Sequence, residues 1–296
     1  MQHIDIVIPT KRDEVHYITP LGCVHLEARL HHKRIFEELI NSRHKLPNHH
    51  FIGLGDTVNA ISVNDLKRFT AHETNRVIVN RTDYYNALSD YLIQSFEPII
   101  DQLDVLMIGN HEWKPTQNSG IEPISEVIGR MKERGGHCRW GGYCMMLTYH
   151  FVNTEDTNHH RTEKVSILAA HGNWGGQGKG IIQTVKWAAS MPYHDLCLTA
   201  HSHSMVIHPE PKMEQTAPRW RDGQVLQREN VDRTIWFANA GTFLRGYNKH
   251  DELPDYGERA GHPIRYIGAP LVIVKPVFGH GIKVDVIGST ETGVIK

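Results

Sequence analysis

The chain has 296 residues, of which 40% are hydrophobic and 22% charged, with a formal net charge of −1. This is the composition of a globular protein with a sizeable core, and its near-neutral balance excludes global recruitment by nucleic acid or an anionic membrane. No uninterrupted apolar run approaches about 18 residues, so no membrane-spanning helix is expected.

In chain order, "HIDIVIP" and "VHYITPLG" read as two strands joined by the charged turn "TKRDE". "EARLHHKRIFEELINS" has apolar residues at helical spacing and ends in polar residues before Pro47. "HHFIGLG" reads as a strand, and "YYNALSDYLIQSFEPIIDQL" as a long amphipathic helix kinked or broken at Pro98. The buried strand "DVLMIG", the helix "IEPISEVIGRMKERG" and the strand "YCMMLTYHF" come next. "VSILAA", "DLCLTA", "TIWFANA", "APLVIVKPVF" and "IKVDVIG" complete the strands. Strands alternating with helices, then mostly strands, predict a layered α/β sandwich. Without an internal repeat or a linker, one domain over 1–296 is expected. "NTEDTNHHRTE" reads as a hairpin loop, and the polar stretch around 209–232 as an insertion. Cys23, Cys138, Cys144 and Cys197 lack CxxC spacing, and the N-terminal stretch has no basic start leading into an apolar run. A reduced, cytoplasmic setting is therefore expected.

The chemistry lies where each strand ends. "IGLGD" closes on Asp56, "LMIGNHEW" on Asn110, His111 and Glu112, "ILAAHGNW" on His171, "CLTAHSHS" on His201 and His203, and "ITPLGCVH" on Cys23 and His25. Taken singly, each has a bland reading. Asp56 after glycine can be a turn residue, His171 a core histidine, Cys23 a small buried apolar group and His-x-His ordinary packing. Five strands that all deliver a carboxylate, amide, imidazole or thiol where the apolar run stops point instead to one shared crevice that binds metal.

The order D-x-H, G-D, G-N-H-[DE], H, G-H-x-H resembles the signature of the calcineurin-like metallophosphoesterase superfamily. The match runs from residue 23 to residue 203. It implies an α/β/β/α sandwich of two mixed β-sheets flanked by helices, with a dinuclear metal site at the strand ends. Cys23, His25, Asp56 and His203 would hold the first metal. Asp56, Asn110, His171 and His201 would hold the second, with Asp56 bridging. His111 would face the substrate, oriented by a hydrogen bond with Glu112. The implied reaction is hydrolysis of a phosphoester by a metal-bridging hydroxide between cations roughly 3.5–4 Å apart.

This chain departs from the pattern in three places. Ala200 stands where the pattern has glycine, and Glu27 replaces another glycine. Glu27 is expected in a first helical turn, suiting the macrodipole, or as an acceptor for His25. Cys23 replaces an aspartate. A thiolate keeps the charge but is softer, so the first site is expected to favour zinc or iron, against manganese, iron or zinc at the second. If Cys23 marks a lost ligand instead, the first site is crippled. Asn173, Trp174, Lys114 and Arg245 are candidate substrate contacts, each with a solvated-loop alternative. Arg219, Trp220, Arg221 and Arg228 offer basic residues interleaved with an aromatic, so nucleic acid is a conceivable partner that the net charge does not indicate. A nucleotide-type phosphodiester or other small phosphoester is the expected substrate. Phosphomonoesterase, protein phosphatase, nuclease and non-catalytic scaffold remain alternatives.

Overall fold

The computed structural model describes residues 1–60, 78, 82–120, 122–156, 161–172, 179–215, 219–221, 224–227, 230–246 and 265–288. Along them run β1 (Gln2–Thr10), β2 (His16–Leu21), α1 (Lys33–Arg43), β3 (His49–Gly53), α2 (Tyr84–Phe96), β4 (Leu103–Leu106), α3 (Asn110–Ser119) and α4 (Pro123–Glu133). Then come β5 (Arg139–Trp140), β6 (Cys144–Asn153), β7 (Thr162–Ala170), α5 (Lys179–Ala189), β8 (Leu196–Thr199) and β9 (Met205–Gln215). β10 (Arg219–Arg221), β11 (Gln224–Gln227), β12 (Asn230–Ala240), β13 (Leu271–Val277) and β14 (Gly281–Ile287) complete the order.

Two six-stranded sheets result, ordered β1-β6-β7-β8-β12-β9 and β14-β13-β2-β3-β4-β5. Both are mixed. β2, β3, β4 and β5 run parallel, with β13 antiparallel to β2 and β14 antiparallel to β13 at one edge, and β7, β8 and β12 run parallel between antiparallel β6 and β9. The layering results from strand periodicity, because successive side chains point to opposite faces. Ile18, Ile52 and Val105 of one sheet meet Leu147, Tyr149, Ile167 and Leu198 of the other in the central core. Their strand neighbours Phe51, Leu103 and Leu106 face outward against Phe36, Leu39, Leu88, Leu92 and Val127 of α1, α2 and α4. On the far side Leu168, Cys197 and Phe237 pack against α5. Strands buried on both faces read as continuous apolar runs, as "DLCLTA" does. The architecture is an α/β/β/α sandwich.

Several local readings need correction. The strands on either side of "TKRDE" enter different sheets, β1 beside β6 and β2 beside β3 and β13, so that turn crosses between layers. The first helix starts at Lys33, which leaves Glu27 in the preceding loop. Pro98 does break its helix: α2 ends at Phe96 and a 3₁₀ turn spans Glu97–Ile99. α3, absent from the predicted elements, forms despite Pro115 because Glu112 accepts the Gly109 N–H at 2.8 Å, capping its start. α5 is likewise absent from them. The 209–232 stretch extends the β9–β12 antiparallel pair, with β10 and β11 forming a separate two-stranded sheet. Among the described residues no helix is long and apolar enough to cross a membrane.

Candidate metal centre

The carboxyl ends of β2, β3 and β4 and of β7 and β8 lie on one rim of the sandwich, in register: Leu21 opposite Gly53, Gly53 opposite Leu106, Ala170 opposite Thr199. Beyond β2 and β3 the two chains keep pairing as loops. Cys23 N–H donates to Gly55 O at 3.1 Å and His25 N–H to Asp56 O at 3.0 Å. From the other sheet, the Thr242 hydroxyl and Phe243 N–H both donate to Cys23 O, at 3.0 and 3.1 Å. These loops are strained. Cys23, His25, Asp56, His201 and His203 have φ between 48° and 64°, and make up five of the eight positive-φ non-glycine residues described. Left-handed backbone costs such residues roughly 1–2 kcal/mol each, so the surrounding fold must hold it in place. Close approach explains two glycines. A Cβ on Gly109 would collide with the Asp56 carboxylate, and one on Gly22 would lie 2.6 Å from Ala200 Cβ.

Seven side chains converge here in two groups that share Asp56. The donor atoms of Cys23, His25, Asp56 and His203 all lie within 4.8 Å of one another, and so do those of Asp56, His171 and His201. Asn110 joins the second group, its Oδ1 3.1 Å from His171 Nε2 and 2.8 Å from His201 Nδ1. Cys23, His25, Asp56 and His171 are buried.

The donor chemistry fits cations. His171 Nδ1–H donates to Leu54 O at 2.8 Å, which turns Nε2 toward two acceptors, Asp56 Oδ2 and Asn110 Oδ1, both at 3.1 Å. His25 Nδ1–H donates to Asn59 Oδ1 at 2.6 Å, which leaves the Nε2 lone pair facing His203 Nε2 at 3.3 Å. Burial, with the His111 charge next, lowers the His25 pKa to about 3, and burial and the His25 charge push His203 well down, so both rings are neutral and ready to ligate. Burial pulls His171 down too, but the Asp56 carboxylate, the bond to Leu54 O and the Glu112 charge together outweigh it and the net shift is upward. Burial opposes ionisation of Asp56, yet the His171 and His111 charges hold its pKa well below the usual range. Burial and the Asp56 charge push the Cys23 thiol well up, against the His201 N–H that donates to Sγ at 3.1 Å. A thiolate at Cys23 therefore requires a cation beside it.

Two buried carboxylates hold the loop that carries Asp56. Glu112 accepts three main-chain N–H groups, from Gly109, Asp56 and Val58, at 2.8, 3.0 and 3.1 Å. Glu27 accepts those of Asn59 and Ala60 at 2.9 and 2.7 Å. Burial, with the Asp56 charge next for Glu112, raises each to about 7. Both expected roles change. Glu112 supports the Asp56 loop, and the His111 ring is held by its Nδ1–H on Asn59 O at 3.1 Å. Glu27 accepts from main chain and reaches His25 only through Asn59. Asn59, which the sequence reading passed over, thus orients two histidines, one by its amide and one by its carbonyl. Its only signal was its place three residues after Asp56.

Of the expected substrate contacts, Asn173 and Trp174 lie outside the described residues, as do Arg228 and the side chains of Arg219, Trp220 and Arg221. Lys114 is exposed one turn into α3. Arg245 is exposed too. Its N–H bonds Leu30 O at 3.1 Å, and its charge bears on His31. Arg265 went unread, yet its charge acts on Cys23 and His203. The bridge of Ile267 and Gly268 to Thr242 sets it there.

No protein-family model and no curated protein matches the chain. Among solved structures, 95% of it aligns with 55% of a 5′-nucleotidase precursor from Thermus thermophilus, at 10% identity and a TM-score of 0.41. A metallophosphoesterase from Sphaerobacter thermophilus aligns over 93% of this chain and 89% of its own, at 10% identity and 0.34. Vps29 complexed with Zn²⁺ from Entamoeba histolytica aligns over 92% and 98%, at 10% identity and 0.31. The chain spans about half the length of the nucleotidases it matches. At these identities the likeness concerns the course of the backbone and is silent on substrate. Phosphoesterases thus stand among the solved structures that this chain is similar to.

Proposed function

We propose that this chain is a calcineurin-like metallophosphoesterase that hydrolyses a nucleotide-type phosphodiester. The observation that carries the reading is the convergence of seven donors into two groups sharing one carboxylate, with His111 beside them. Cys23, His25, Asp56 and His203 would hold one cation, and Asp56, Asn110, His171 and His201 the other. Two cations so held supply Lewis-acid neutralisation of the phosphoryl oxygens and acidify a water. The chain's own residues do the rest. His111 N–H donates to Asp56 Oδ1 at 3.0 Å, fixing the start of α3 against the shared carboxylate. The His111 Nδ1–H bond to Asn59 O assigns proton exchange with the leaving oxygen to Nε2. Arg265 adds positive charge on the Cys23 side.

Elemental analysis and turnover of bis-p-nitrophenyl phosphate and p-nitrophenyl phosphate test this. Two metals per chain are expected, with diester favoured over monoester and kcat down roughly 10²–10⁴-fold in His111→Ala at unchanged metal content. A folded chain that takes up no metal and turns over neither ester would instead be a scaffold.

A further inference from the structure

Four tryptophan side chains are described. Trp140, Trp187 and Trp236 each pack against one of the three hydrophobic clusters, while Trp113 belongs to none and is 43% exposed. A single exposed aromatic is tolerated without a partner, and its large apolar π-face is a docking surface for whatever ligand comes near it. Its position says what. α3 begins at the metal centre: Asn110 lies against His171 and His201, and Trp113 comes three residues later, with its N–H on Gly109 O at 3.0 Å. Residues at i and i+3 share a helix face, and long helical side chains lean back toward the N-terminus. Trp113 therefore shares the helix face of Asn110, within one turn of the metal centre. Lys114, exposed beside it, bears the same i+3 relation to His111.

We propose that Trp113 is the platform on which the base of a nucleotide-type substrate stacks while its phosphate sits at the metal centre, an inference that rests on the phosphoesterase reading above. An indole offers a base a sequence-tolerant π-face, so the specificity it confers is for any nucleobase over none. This gives the substrate class a physical basis within the described residues.

The test compares the metal-loaded chain with its Trp113→Ala and Trp113→Phe variants on two diesters that share a leaving group, thymidine 5′-(p-nitrophenyl phosphate) and methyl p-nitrophenyl phosphate. The ratio of kcat/KM between nucleoside-bearing and base-free ester is expected to fall about tenfold or more in Trp113→Ala, the factor one lost base–aromatic stack carries. The fall should come through KM, and Trp113→Phe should restore most of it. Calorimetric binding of thymidine 5′-monophosphate gives a readout independent of turnover, with about tenfold weakening expected in Trp113→Ala and none for ribose 5-phosphate. An unchanged ratio, or nucleotide binding that is absent or indifferent to Trp113, overturns the proposal. Trp113-dependent binding without hydrolysis of any ester would keep the stack and overturn the phosphoesterase reading. Turnover with an unchanged ratio would do the reverse.

Discussion

Cys23 differs from the aspartate of the pattern that the sequence resembles in softness, and its backbone is already in the left-handed region at φ 48°. Aspartate tolerates that region better than most residues, so Cys23→Asp changes the donor with little conformational cost. We expect the unaltered chain loaded with cobalt to show a thiolate-to-cobalt absorption band, and Cys23→Asp to keep two metals per chain without that band. Cys23→Ala is expected to retain one metal, counted by elemental analysis. An unaltered cobalt spectrum in Cys23→Asp would remove the sulfur from the ligand set. Glu112 is the complementary case, a residue that acts by holding backbone. Glu112→Ala leaves three buried N–H groups without their acceptor, and each such loss costs roughly 1–3 kcal/mol. A fall of at least about 3 kcal/mol in urea unfolding is expected. A fall confined to kcat, with stability intact, would return Glu112 to a role on His111.

At the scale of elements, the centre is made where sheets stop. The loops after β2 and β3 keep their pairing past the last ladder bond, and α3 begins where β4 has ended, so three connections meet within a few ångströms of Asp56. Gly109 is the contact point. Gly109→Ala should leave the far-ultraviolet circular dichroism unchanged while lowering bound metal, because its Cβ would strike the Asp56 carboxylate. Undiminished metal binding would show that the α3 start can yield. On the opposite side of the sheet, Arg43 ties α1 to the segment entering β13. Its guanidinium donates to Thr19 Oγ1, Pro270 O and Ala269 O at 2.9, 2.7 and 2.7 Å, and burial lowers its pKa to about 9. Arg43→Met would strand these acceptors at a cost of roughly 3 kcal/mol, measured by urea unfolding.

Across the whole molecule, the histidines set the response to acid. Burial, then the His50 charge, lowers His16 to about 4, and burial, then the Arg43 charge, lowers His49 to about 3. In the unfolded chain both take a proton near 6.5, while the folded chain refuses it until about 4 and 3. The unfolded state thus binds more protons in that window. The stabilising contribution is complete above about pH 6.5 and is lost as pH falls toward about 4. Asp104 acts lower still. Burial opposes its charge, but hydrogen bonds from His137, His50 and Tyr149 bring it to about 2, so its contribution survives until the pH drops below about 4. Glu27 and Glu112, raised to about 7, act in the opposite direction over the same window, so the histidine contribution is read as a difference: the urea midpoint of the unaltered chain in chelator, minus that of His16→Gln, should shrink as pH falls from about 7 to about 4.5. A difference that does not change with pH would mean that the His16 ring is not buried in solution. Adding back metal should raise the melting temperature as its free concentration rises, the outcome expected of a centre that holds cations more tightly when assembled than the unfolded chain does.

The sequence by itself determined the layers and the donors. The apolar runs in "HHFIGLG" and "DVLMIG" are a local property, and a run that stops at Asp56, Asn110, His171 or His201 marks a strand end whatever lies around it. Only the tertiary structure decided which strand ends meet, because pairing β1 with β6 or β2 with β13 joins segments over a hundred residues apart. It also decided what holds the donors. Asn59, Glu27 and Glu112 act through main-chain N–H and C=O groups, which carry no side-chain signature for a sequence to display. Arg265 and Trp113 acquire meaning only from what the folded chain sets beside them.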